Sequence, residues 1–256
     1  MALLTQFILR LTFGLSLAMA CTSPHRVSSG YYRNNLYVLL GLNVLASLVA
    51  GMGLSQQALP LWPPLTAALL SYVGAVLWLY ERPRPGIAAL AGIAAVALTG
   101  AWLCGAAPPS LNSASAGAVA LEWLDPLGGG LVLGVTMAAM LLGHWYLNAP
   151  GMSLIPLKRL VLAMGAALLL RAMLCGLGLA ADFAAEGPYE MQRWLFVSLR
   201  WLAGLAGAAV AAAMAWQTLK IPNTQSATGI LYVGVIVTFV GELTSQLLSD
   251  ESLFPL

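Results

Sequence analysis

Residues 228–248 read TGILYVGVIVTFVGELTSQLL. As a helix rising about 1.5 Å per residue, this stretch is about 30 Å long, enough to cross a hydrocarbon core. One charge, Glu242, interrupts it. The apolar residues do not alternate as they do in an outer-membrane barrel strand. Similar runs recur along the whole chain. Of 256 residues, 60% are hydrophobic and 8% charged, with a mean hydropathy of +0.86. A soluble domain carries about 25% charged residues, so the charges here are too few to cover a water-facing surface. The fold class that follows is all-α: a polytopic integral membrane bundle.

Eight spans fall at about 2–21, 36–54, 61–80, 87–105, 127–147, 158–180, 194–217 and 228–248. Proline-containing stretches such as QQALPLWPP, ERPRPG and NAPGMSLIP separate them. No linker is long enough for a second domain, so residues 1–256 read as a single transmembrane domain. The stretch SLAMAC ending at Cys21 looks like a lipoprotein cleavage site. However, Ala18 stands three places before the cleavage point, and Arg26 and Arg33 follow on the side a signal peptide would export. Span 1 therefore reads as a retained helix. The three cysteines form no CxxC pair and no ligand spacing.

Basic residues set the orientation. Connections 1–2, 3–4, 5–6 and 7–8 hold Arg26, Arg33, Arg82, Arg84, Lys158, Arg159 and Lys220, whereas the opposite side holds only Arg193. This bias predicts a multi-pass protein of the cytoplasmic (inner) membrane with both termini outside. Most acids, Asp125 and Asp182 among them, are assigned to the outer side. Tryptophans mark both rims, with Trp62, Trp102, Trp123 and Trp194 outside and Trp78, Trp145 and Trp216 inside.

Four charges fall inside spans: Arg10, Arg171, Arg200 and Glu242. Counted from the outer helix ends at ~1.5 Å per residue, all four lie roughly 9–14 Å below the outer rim. Each belongs to a different helix. Their helical faces carry polar or small residues: Thr228, Thr238, Ser245 and Gln246 beside Glu242, Gly204 and Gly207 beside Arg200, and Gln6 and Gly14 beside Arg10. Glu242 is therefore expected to face arginine partners in the interior. Three arginines against one glutamate leave positive charge to be met by an outer acid such as Asp182, by snorkelling, or by an anionic or strongly polar ligand.

Span 5 reads GGGLVLGVTMAAMLLGHWYLN over residues 128–148. His144 shares a helical face with Gly130, Gly134, Met137 and Leu141, which predicts that it points along a packing stripe near the inner rim. It is either a hydrogen-bonded structural residue or a quinone or proton partner. The chain's other histidine, His25, lies in a loop, so a bis-histidine haem is not expected; nor is a metal. Asn43 and Ser47 in span 2 read as ties between helices. P-loop and HExxH motifs are absent, and no sequence repeat is visible.

Eight spans with outer termini, and a last span carrying Gly241, Glu242 and Leu243, resemble the membrane anchor subunits of the dimethyl-sulfoxide reductase and NrfD/polysulfide-reductase group. The first span carries Gln6 and Arg10 where that family has an early histidine, and Gln246 and Ser249 occupy the region of its basic residue. The stretches GHWYLNAP, SPHRVSSGYYRNNLYVLLGLN and TQSATGILY look like the signature of a narrower family. The resemblance implies a membrane subunit that exchanges electrons with quinone for an iron–sulfur partner on the outer face.

The functional expectation is an integral subunit of a respiratory or electron-transfer complex, binding quinone or quinol between helices and lacking a redox centre of its own. In it Glu242 is the catalytic proton acceptor, and Arg10, Arg171, Arg200 and His144 are ligand-binding. The expected partners are the lipid bilayer and an iron–sulfur or cytochrome subunit, with no nucleic acid. The alternatives are an anion- or lipid-binding permease and a structural or assembly subunit with a buried salt-bridge network.

Overall fold

A computed structural model describes residues 2–52, 60–105, 116–149, 151–186, 190–221 and 223–250. These form helices α1 (Ala2–Ala20), α2 (Ser29–Gly51), α3 (Trp62–Leu79), α4 (Pro83–Leu103), α5 (Ala116–Asn148), α6 (Ile155–Glu186) and α7 (Met191–Leu199). A π-helical segment (Arg200–Gly207), α8 (Ala208–Lys220) and α9 (Thr224–Asp250) complete the order. The segments α7, π and α8 run on as one helix, so eight helices are long and apolar enough to cross a membrane. Prolines begin α3 and α4, where a missing N–H costs no helical bond. Gly151, with φ of 95°, makes the turn into α6.

The helices assemble as two four-membered halves. In the first, α1 packs on α2, α2 on α3, α3 on α4, and α4 back on α1. The second half repeats this order of neighbours with α5, α6, α8 and α9. Four spans separate corresponding helices, so the halves run in the same direction, and α1 meets α5 along their shared seam. No sequence likeness announces this arrangement. The halves differ: α2 and α3 pack closely, whereas among the described residues α6 packs on α8 and makes few or no close backbone contacts with α7.

The seam is held by glycine. Every α1 residue from Thr5 to Ser16 is buried. A Cβ on Gly14 would overlap the Gly130 carbonyl, and one on Gly134 would overlap the backbone of Gly14. In a membrane the helices gain no hydrophobic energy by leaving lipid. Close backbone approach and interhelical hydrogen bonds drive association instead. Asn43 provides one such bond, donating to Thr12 Oγ1 at 3.1 Å, while Ser47 bonds within its own helix. Trp78, in the last turn of α3, is buried and stacked on Tyr32 with ring centroids 3.9 Å apart.

Candidate functional site: a buried chain of alternating charges

Arg171 is the hub. Its Nε and Nη2 form a fork on the Glu242 carboxylate, donating to Oε1 at 3.1 Å and to Oε2 at 3.0 Å. Its Nη1 donates to Asp125 Oδ1 at 2.6 Å, and Nη2 also reaches Ser245 Oγ at 3.1 Å. All three nitrogens are therefore used. From this hub the charges alternate outward in both directions. Asp125 Oδ2 takes Arg10 Nη2 at 2.6 Å, and Glu242 Oε1 takes Arg200 Nη2 at 2.7 Å. The sequence Arg10–Asp125–Arg171–Glu242–Arg200 draws on α1, α5, α6, α9 and the π segment. Glu242 and Arg171 are wholly buried, and Arg10 and Arg200 nearly so.

The expected meeting of arginines with Glu242 is thus direct for Arg171 and Arg200, and for Arg10 it passes through Asp125. Assigning Asp125 to the outer connection is corrected here. The helix α5 begins at Ala116, not near 127, and runs straight through Pro126. Proline lacks the N–H that would bond the carbonyl four residues back, so it reads as a boundary in sequence. The signal that locates Asp125 is its spacing: Gly129 and Thr136 follow on its face at helical intervals. Asp182, one of the three expected ways to balance the arginines, pairs with Arg193 at 2.8 Å.

Three consecutive glycines make room for the chain of charges. A Cβ on Gly128 would lie 3.4 Å from Arg171 Cδ, and one on Gly129 would lie 2.6 Å from Glu242 Oε2. Gly130 abuts Phe13 and the Arg10 carbonyl. On the other side, a Cβ on Gly204 would sit 2.5 Å from Gly241 Cα. Arg200 and Glu242 therefore meet beside a second glycine crossing, between the π segment and α9. Eight residues of π-helix beginning at Arg200 are an unusual run, and such turns recur at functional sites.

His144 is not part of this arrangement. It is exposed, and its Nδ1 lies 3.3 Å from the hydroxyl of Tyr232 on α9, as a hydrogen-bonded structural residue would; its neighbour Gly143 packs against Thr228 of α9. His25 lines a surface groove of about 420 Å³ together with Arg26, Ser28 and Glu81.

The ends of the chain retain unused donors. Among the described residues, Arg10 Nε and Nη1, and Arg200 Nε and Nη1, are buried with no hydrogen-bond partner, as are Thr238 Oγ1 and both side-chain polar atoms of Gln246 on α9. A buried polar group without a partner costs about 1–3 kcal/mol, more if charged. Within the five-residue chain, three arginines face two carboxylates, a net charge of +1.

Comparison of the chain with protein-family models, with curated proteins and with solved structures gives no match.

Proposed function

We propose that this chain is an integral membrane subunit of an electron-transfer complex, binding quinone or quinol at the Arg10–Asp125–Arg171–Glu242–Arg200 chain. The observation that carries the reading is the set of unpartnered, buried guanidinium N–H groups on Arg10 and Arg200. A quinone carbonyl accepts such hydrogen bonds and adds no buried charge. In this reading bound quinol loses two electrons to a redox centre on a partner subunit and two protons, which Glu242 accepts one after the other and releases to water at the outer face. The protein lies in the cytoplasmic membrane with both termini outside, as the basic connections favour. The glycine and glutamate shared with the NrfD-type anchors support the same role.

The charge of +1 favours a second reading, a permease for a carboxylate or phosphate, since arginine recognises both through paired hydrogen bonds. Purification from native membranes in mild detergent, followed by mass spectrometry, separates the two. Stoichiometric recovery of an iron–sulfur or cytochrome subunit is the expected result. Recovery of the chain alone, under conditions that preserve a known complex, overturns the respiratory reading. Uptake of an anion into vesicles containing only this protein would then establish the second.

In the recovered complex, Glu242→Gln is expected to abolish quinol-linked turnover while the complex still assembles. Unimpaired turnover removes Glu242 from the site. Loss of assembly without a separable effect on turnover marks a structural network.

A further inference from the structure

We propose that the seam between α6 and α7 is a side entrance from the lipid to the buried chain of charges, admitting a membrane-dissolved molecule whose head carries acceptor oxygens. The inference rests on the reading of that chain as a ligand site.

Three observations converge on this seam. The first is the broken symmetry of the fold. Where α2 and α3 pack closely, their counterparts in the second half make few or no close backbone contacts along α7 among the described residues. The second is the attachment of α7 itself. Of its nine residues only Val197 is buried, while Leu195 is 65% and Met191 76% exposed. Most of its surface is left to lipid.

The third is the nature of the contacts that close the seam. Among the described residues they include side-chain contacts: Asp182 with Arg193 at 2.8 Å, the rings of Phe183 and Trp194 with centroids 6.1 Å apart, and Leu179 and Trp201 packed on Val197 and Leu248. At the α1–α5 and π–α9 crossings backbone meets backbone through glycine, so no side-chain rotation can part them. Between α6 and α7 the contacts just named are made by side chains, which can rotate.

Behind these side chains lies Arg200. Its Nη2 contacts Cys175 Sγ at 3.4 Å on α6 and Glu242 on α9; its Nη1 lies over the Gly204–Gly241 crossing, and neither Nη1 nor Nε has a hydrogen-bond partner among the described residues. In this proposal a molecule passing Trp201 reaches the guanidinium of that buried cation from the α6 side, while its tail remains in lipid. The acceptor belongs to a quinone carbonyl or to a lipid phosphate; both offer acceptor oxygens to the guanidinium donors.

The test links the two helices. Asp182→Cys and Arg193→Cys are introduced together, with the three native cysteines replaced, and joined by a short bis-maleimide in reconstituted membranes. An apolar diazirine dissolved in the bilayer then reports access by labelling. Labelling of Leu179 and Trp201 is expected before linking and lost after it, with Leu169 on the lipid face labelled throughout. Labelling of the seam that is absent before linking, or unchanged by it, overturns the proposal.

A photoreactive short-chain benzoquinone and a photoreactive phosphatidic acid form the second arm. Labelling beside Arg200 that is lost on linking supports the entrance and names the head group. Labelling that survives linking shows another route and overturns it. If the diazirine behaves as expected and only the phosphatidic acid labels, the entrance stands and the quinone reading falls.

Discussion

The five charges are not equivalent, and their differences are visible residue by residue. Arg171 spends every nitrogen on Asp125, Glu242 and Ser245, while Arg10 and Arg200 each engage one carboxylate and keep spare donors. Losing an acid should therefore hurt more than losing a terminal arginine. Asp125→Asn leaves three arginines facing one carboxylate; Arg10→Met leaves two facing two. Removing one partner of a buried pair and stranding the other costs about 3–5 kcal/mol. Asp125→Asn is expected to lower the melting temperature in detergent sharply, and Arg10→Met by clearly less. Equal losses, measured by thermal unfolding, would show that net charge does not govern the cluster. Glu242 was legible as a buried, partnered acid from its polar helical face. Asp125 was not, because span 5 reads as starting just after the proline beside it.

At the scale of elements, glycine determines which helices can bring their charges together. Gly14 lies one turn from Arg10, and Gly241 is next to Glu242. The backbone contact at each crossing brings the flanking side chains within ion-pair distance. Gly134→Leu drives a side chain into α1 and is expected to prevent accumulation of folded protein, since even one surplus methylene in a packed interior costs about 1–3 kcal/mol. Gly165 and Gly229 offer the contrast, for a Cβ at either meets nothing. Alanine there is expected to leave the melting temperature unchanged or raise it, because glycine is about 1 kcal/mol less favourable than alanine in a helix. A drop of several degrees for Gly165→Ala or Gly229→Ala would contradict this placement. The sequence shows small residues on these faces. It does not distinguish a glycine that touches backbone from one that faces open space.

The whole molecule is two similarly connected halves joined along α1 and α5, with the ionic chain lodged mainly in the second. Arg10 is the only member from the first half, and its bridge to Asp125 crosses the seam. Orientation in the bilayer is a property of the whole molecule too. Seven basic residues on one side against Arg193 on the other predict outer termini. Alkaline phosphatase fused after residue 256 is expected to be active, and a green fluorescent protein there dark. The opposite pattern would invert the molecule and place the chain of charges in the inner half.

Hydropathy is a local property, and so the sequence by itself determined the helical membrane class, the eight spans and the common depth of Arg10, Arg171, Arg200 and Glu242. Depth along a helix follows from counting residues, whatever the neighbours are. Partnership does not. Which helix stands beside which, how closely two backbones approach at Gly14 and Gly134 or at Gly204 and Gly241, and whether α5 continues through Pro126 depend on contacts between residues far apart in the chain. Those contacts drew Asp125 inward, left His144 at the surface, and turned four charges at one depth into a five-membered alternating chain.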